Sequence, residues 1–257
     1  MKTMPEGDTI RGVANRLAPL VGQTIERATT RGLVRAIAGR TVTAVDAHGK
    51  HLYIDLDDRT QIHVHQGMNG RFRARDRREG DALLARMSPG KASLAIVTAT
   101  HVFLWITCPT VEIVPRRAPN RGMHEQRLGP DVLAGGFDPM VAATRAAEHP
   151  ARTIGEVLLD QRVAAGIGNI WKTESCFACR IDPRTFVRDI PSHVMVQIYE
   201  AARERMAASV EGARDFAAYS RTGKPCPRCA TPIAAFQLGD PPRWTWACPH
   251  CQATAHK

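Results

Sequence analysis

Four cysteines near the C-terminus constrain this chain more than any other feature. They stand as Cys226-Pro227-Arg228-Cys229, then eighteen residues, then Cys248-Pro249-His250-Cys251. Two Cys-x-x-Cys pairs at that separation read as a single four-thiolate zinc site. Each pair forms a Pro-containing knuckle that presents two sulfurs to one ion, and the intervening residues suit a β-hairpin. The segment is too short to bury a core of its own, so metal binding is expected to supply its folding free energy. The alternative is two disulfides or unrelated thiols. Against it, a disulfide within one Cys-x-x-Cys is strained, and the N-terminus has no apolar run of signal-peptide type. Cys176 and Cys179 make a third such pair, but they flank Phe177 and Ala178 in a helical stretch and are expected to be core.

Charge narrows the choice of partner. Thirty-five Lys and Arg against twenty-five Asp and Glu leave a net charge of +10, which attracts a polyanion; nucleic acid leads, with a merely solvated basic surface as the alternative. No segment approaches the length of a membrane span. A cytoplasmic protein is expected, in a bacterial cytosol or nucleoid, with no membrane association, and a reducing compartment favours metal over disulfides.

Periodicity gives the order of elements. Ile10, Val13, Ala14 and Leu17 fall at helical spacing, with Asp8 or Thr9 as caps and Pro19 and Gly22 closing the helix. Short alternating runs follow at 41–45, 52–56, 61–65, 94–98 and 102–106, and read as mostly antiparallel strands. A Pro/Arg-rich stretch, 115–121, reads as a linker. Helices are expected at 139–148, 153–164, 169–179 and 192–210. The expected fold class is α+β: an N-terminal domain at 1–116, a helical domain at 117–220 and a zinc hairpin at 221–257.

Four stretches carry a more specific signal. Met4-Pro5-Glu6-Gly7-Asp8 leads into the first helix, and His48-Gly49-Lys50-His51-Leu52 precedes a strand. Residues 161–174 read QRVAAGIGNIWKTE, and Arg243 stands five residues before Cys248. With Arg127-Leu128-Gly129-Pro130-Asp131 between them, their order resembles the formamidopyrimidine-DNA glycosylase and endonuclease VIII family over nearly the whole chain. The resemblance implies an N-terminal helix and β-sandwich, a helix-two-turns-helix domain and a zinc finger, with damaged DNA as partner and a monomeric protein.

The resemblance also implies roles. The family's mature chain begins with proline, here Pro5, whose secondary amine attacks C1′ of the damaged nucleotide. An α-amino group is about one-tenth neutral at pH 7, against a few parts in ten thousand for a lysine amine, so a terminal amine is the better-supplied nucleophile. Glu6 corresponds to the general acid/base; alone it reads as an acidic residue in a first helical turn. Lys50 corresponds to a hairpin lysine that donates protons and contacts phosphate, and Arg243 to the finger arginine that grips phosphates beside the lesion. The glycines of Gly166-Ile167-Gly168-Asn169 allow close approach to a phosphate, with Asn169 and the following helix N-terminus as donors; unaided, this reads as an ordinary turn. Met68, between Gly67 and Gly70, corresponds to the wedge that fills the gap left by a flipped nucleotide; the alternative is a core methionine. Arg127 and Lys172 are further phosphate-contact candidates.

Three departures point toward the endonuclease VIII-like branch and oxidised pyrimidines. Gly7 follows Pro5-Glu6, the loop at 107–111 reads TCPTV rather than DPRRFG, and only the short 212–220 connection precedes the finger. Met1-Lys2-Thr3 stand before Met4-Pro5; a preceding residue turns the proline nitrogen into an amide, so Met4 is expected to initiate or the extra residues to be removed. One rival reading is an inactive protein that binds damaged or single-stranded DNA. A more distant one is a zinc-ribbon regulatory or RNA-binding protein.

Overall fold

The computed structural model describes residues 5–88, 90–115 and 127–253. They fall in two compact units: Pro5 with residues 9–115, and Glu6–Asp8 with residues 127–253.

In the first unit, α1 (Gly7–Arg16), which belongs to it from Thr9 onward, buries Ile10, Val13 and Ala14 on one stripe, and a short turn at Ala18–Leu20 containing Pro19 ends it. Nine strands follow: β1 (Arg27–Thr30), β2 (Leu33–Val34), β3 (Val42–His48), β4 (His51–Leu56), β5 (Thr60–His65), β6 (Arg71–Asp76), β7 (Ala92–Val97), β8 (His101–Ile106) and β9 (Thr110–Pro115). They form two antiparallel sheets, ordered β2-β1-β7-β8-β6 and β3-β4-β5-β9. Alternate residues of both sheets, among them Leu52, Ile54, Ile62, Val64, Leu94, Phe103 and Trp105, share one core. Each such side chain contributes about 2 kcal/mol by leaving water.

All five expected strands are present. Four more strands and a helix, α2 (Arg77–Ala85), were not expected. The α2 sequence RREGDALLA offers only Leu83 and Leu84 as an apolar signal. They serve to cover the outer face of β7 and β8, packing with Met87 against Ala95, Val97, Val102 and Leu104. Close approach depends on Gly80, where a Cβ would lie 2.3 Å from Val102 Cβ. Of the expected linker, Pro115 ends β9 and the remainder lies outside the described residues.

The second unit contains α3 (Pro139–Ala147), α4 (Ile154–Val157), α5 (Asn169–Ala178), α6 (Ser192–Val210) and the hairpin β10 (Ala234–Leu238) and β11 (Arg243–Ala247). Asp138 caps α3, and Thr153 with Glu156 forms a capping box on α4. The helix expected over 153–164 is a single turn. Beyond it, Asp160 accepts from the Arg162 N–H, while Gln161 donates to the Leu159 and Ile167 carbonyls and accepts from the Gly166 N–H. These local bonds satisfy the backbone without a helix. Trp171, Phe177, Ile198, Tyr199 and Met206 form the core, and Ile233, Trp246, Cys226 and Cys248 of the hairpin segment share it. The hairpin therefore draws on helical packing as well as on its cysteines.

Candidate active site and metal centre

Glu6 is 1% exposed. Its carboxylate accepts from the backbone N–H groups of Gly168 at 3.1 Å, Ile170 at 2.8 Å and Trp171 at 3.3 Å. The orphan donors and positive dipole end of α5 thus hold an acidic side chain more than 160 residues away in sequence. Gly168 makes room for it: a Cβ there would lie 2.2 Å from Glu6 Cδ. Gly7 backs onto the same turn, its N–H donating to the Gly166 carbonyl at 2.9 Å. The helix N-terminus expected to donate to phosphate is thus occupied by Glu6. The expected cap residue Asp8 also looks elsewhere, accepting from Trp171 Nε1, the Ser209 hydroxyl and Arg214.

Asn169 and Lys172 lie on the same first turn. The Lys172 ammonium is buried and donates to Asn169 Oδ1 at 2.7 Å and Thr245 Oγ1 at 2.6 Å, while Asn169 Nδ2 donates to the Trp244 carbonyl at 2.8 Å. Lys172 is therefore not presented to a phosphate as expected. Burial, helped by nearby Arg243, pushes its pKa down to about 8, with Glu6 opposing. Arg243, at the start of β11, is exposed. Four expected site residues, Glu6, Asn169, Lys172 and Arg243, thus converge on one end of α5.

The four cysteines of the hairpin segment also come together, all sulfurs within 4.8 Å of one another. The separations Cys226–Cys251, Cys229–Cys248 and Cys229–Cys251 are 3.9, 3.5 and 3.3 Å. A tetrahedral ion with metal–sulfur bonds of about 2.3 Å requires roughly 3.8 Å between sulfurs, so the set fits a metal ion. The Arg228 and Cys251 N–H groups each point at a sulfur at 3.4 Å. Arg228, inside the first knuckle, donates to the Phe177 and Ala178 carbonyls and so caps the C-terminus of α5. Cys176 and Cys179 lie apart from this cluster: Cys176 is core as expected, whereas Cys179 is half-buried and packs at the edge of that core.

In the first unit, Lys50 occupies the two-residue turn between β3 and β4, where Gly49 has φ +56°. Met68 is 68% exposed, not core. Its loop leans on 107–109: Thr107 Oγ1 donates to the Asn69 carbonyl, and a Cβ on Gly67 would lie 2.6 Å from the Pro109 ring. Pro5 is half-buried and Arg127 exposed. Sequence reading missed Glu174, whose buried carboxylate accepts from the N–H groups of Ala217, Ala218 and Tyr219. It also missed a chain across β4, β5 and β9, in which His51 Nδ1 meets His63 Nε2 at 2.8 Å and His63 Nδ1 meets Glu112 at 2.9 Å. The cross-strand register signals that chain; nothing local signals Glu174.

Residues 4–99 match the family model described as formamidopyrimidine-DNA glycosylase N-terminal domain, and 128–219 match that of the H2TH domain. Over 97% of its length the chain is 33% identical to "Probable endonuclease 8 2" of Streptomyces coelicolor, covering 94% of that protein. The chain belongs to the formamidopyrimidine-DNA glycosylase family. Other relatives carry both branch names. The Mycolicibacterium smegmatis "DNA-(apurinic or apyrimidinic site) lyase Nei2" is 30% identical, with 98% of this chain and 100% of that protein covered. Formamidopyrimidine-DNA glycosylase of Thermus thermophilus is 31% identical, with 98% of each covered. The crystal structure of MutM (Fpg) from T. thermophilus matches with a TM-score of 0.77 at 29% identity, over 96% of this chain and 98% of that one. Lactococcus lactis Fpg, solved non-covalently bound to DNA containing an AP site, shares the fold with a TM-score of 0.82 at 20% identity, over 97% and 100%. No helix among the described residues is long and apolar enough to cross a membrane.

Proposed function

We propose that this chain is a bifunctional DNA glycosylase and AP lyase of base-excision repair. The observation that carries the reading is the Glu6 carboxylate, next to Pro5 in sequence and held by three N–H donors over a glycine that has no room for a side chain. Rigid support of this kind suits a group that must meet one sugar atom.

In the proposed reaction the freed Pro5 nitrogen bonds to C1′, the bond from C1′ to the base breaks, and the base leaves with its electron pair. Glu6 handles the proton that accompanies opening of the sugar ring, leaving a C1′ iminium. Loss of a C2′ proton then expels the 3′ phosphate, and a second elimination expels the 5′ phosphate. Lys50 supplies a proton and a phosphate contact, Met68 fills the vacated stack, and Arg243, with Arg127, grips the backbone of damaged DNA, while Asn169 holds the strand that carries Arg243. Zinc, held by Cys226, Cys229, Cys248 and Cys251, is structural and supports the strand that carries Arg243. The functional divisions are 1–116, 117–220 and 221–257, in a monomeric cytosolic protein.

Oxidised pyrimidines are the proposed lesions. The connection before the finger is short, and its end at 217–219 is pinned by Glu174. The segment 107–109 serves to brace the Met68 loop. Borohydride trapping on DNA holding an abasic site or an oxidised pyrimidine tests the reading, comparing the full sequence with a chain starting at Met4. A covalent adduct with a free Pro5, verified by intact mass, is expected. Tight lesion binding without an adduct from either protein would leave a damage-binding protein instead.

A further inference from the structure

Lysine is costly to bury unless its charge is met, and Lys172 is 1% exposed. An ammonium only donates, so it dictates which way the Asn169 amide faces. With Oδ1 turned to Lys172, Nδ2 remains to donate to the Trp244 carbonyl. The Thr245 hydroxyl accepts from Lys172 and in turn donates to the Arg243 carbonyl at 3.2 Å. Three consecutive residues of β11 are thereby tied to the first turn of α5. A second support comes from α4, because Gly155 leaves space for Leu238, the cross-strand partner of Arg243.

We propose that Lys172 is a positioning residue for Arg243: its buried ammonium orients the Asn169 amide and the Thr245 hydroxyl, and so fixes the start of the strand from which the Arg243 side chain leaves. The inference rests on the reading of Arg243 as a phosphate contact. The ammonium touches Asn169 and Thr245, and the titratable or charged groups near enough to act on it are Cys176, Glu6 and Arg243. Cys176 is itself a buried thiol pushed up to about 12 and carries no charge at neutral pH. The ammonium, at about 8, stays mainly protonated there. The same geometry explains why a lysine expected to meet phosphate is buried.

The test is a double-substitution cycle read as affinity of the full chain for a duplex carrying a tetrahydrofuran abasic-site analogue. Arg243→Gln is expected to weaken binding roughly tenfold or more, as loss of a charge-assisted bond does. Lys172→Met is expected to weaken it as well, and the double variant to bind no more weakly than Arg243→Gln alone. Losses that multiply would overturn the proposal, since Lys172 would then act independently of Arg243. Thr245→Val is expected to match Lys172→Met, and Thr245→Ser, which keeps the hydroxyl, to match the wild type; equal behaviour of valine and serine counts against the link. If Lys172→Met does not fold, Thr245→Val crossed with Arg243→Gln carries the same cycle. Binding is read rather than cleavage, so a protein that binds without cutting sinks the catalytic reading alone. An Arg243→Gln variant of undiminished affinity sinks this one.

Discussion

A missing methyl group decides where the proposed acid/base sits. At Gly168 any Cβ would displace the Glu6 carboxylate, and φ is not the reason for glycine, because the backbone there is extended. Gly168→Ala is expected to slow adduct formation at least tenfold while leaving DNA affinity within a few-fold, since a misplaced general acid/base typically costs 10²–10⁴ in rate. Trapping rate against binding isotherm separates the two. Glu174 uses the same chemistry for structure, with one buried carboxylate satisfying three N–H groups at 217–219. Glu174→Ala leaves those donors unpaired and is expected to cost about 3 kcal/mol or more in urea melts, without the rate defect of the Gly168 variant.

At the scale of the element, α5 organises its unit. It is buried almost throughout, holds an anion at its N-terminus and a guanidinium at its C-terminal carbonyls, and both groups complement the helix dipole. Arg228→Ala removes the second and is expected to lower stability by about 1 kcal/mol, visible as a shifted urea midpoint at constant slope. Lys172 makes the helix pH-sensitive in a definite direction. Its folded pKa of about 8 lies below that of an unfolded lysine, so between these values the unfolded chain binds the extra proton and stability rises with pH. From pH 7 to 9.5 this contribution grows by about 2 kcal/mol. Wild type should gain that much stability relative to Lys172→Met over this range; a difference independent of pH would show that the ammonium is not buried.

For the whole molecule, the four-cysteine site proposed to hold zinc couples a local motif to a shared core. Removing the proposed zinc with a chelator is expected to unpair the hairpin, expose Trp246 and lower the melting temperature, with loss of DNA affinity, because Cys226, Cys248 and Trp246 pack with the helices. Tryptophan fluorescence and a binding isotherm before and after zinc return check this. Much of the fold was legible beforehand: the stripe of α1, the spans of α3, α5 and α6, and five strands follow from apolar spacing. The rest was not. The run after Thr153 has helical periodicity, yet Asp160 and Gln161 win its backbone bonds; α2 is too charged to announce the sheet face it covers. The metal ligands, by contrast, were fixed by residue type and spacing alone, because two knuckles bring four sulfurs together whatever surrounds them. The placement of Glu6 on α5 and the burial of Lys172 were decided only by tertiary structure. Each is a contact between residues far apart in sequence, where a neighbour's missing side chain or a distant hydroxyl, not local spacing, sets the energy.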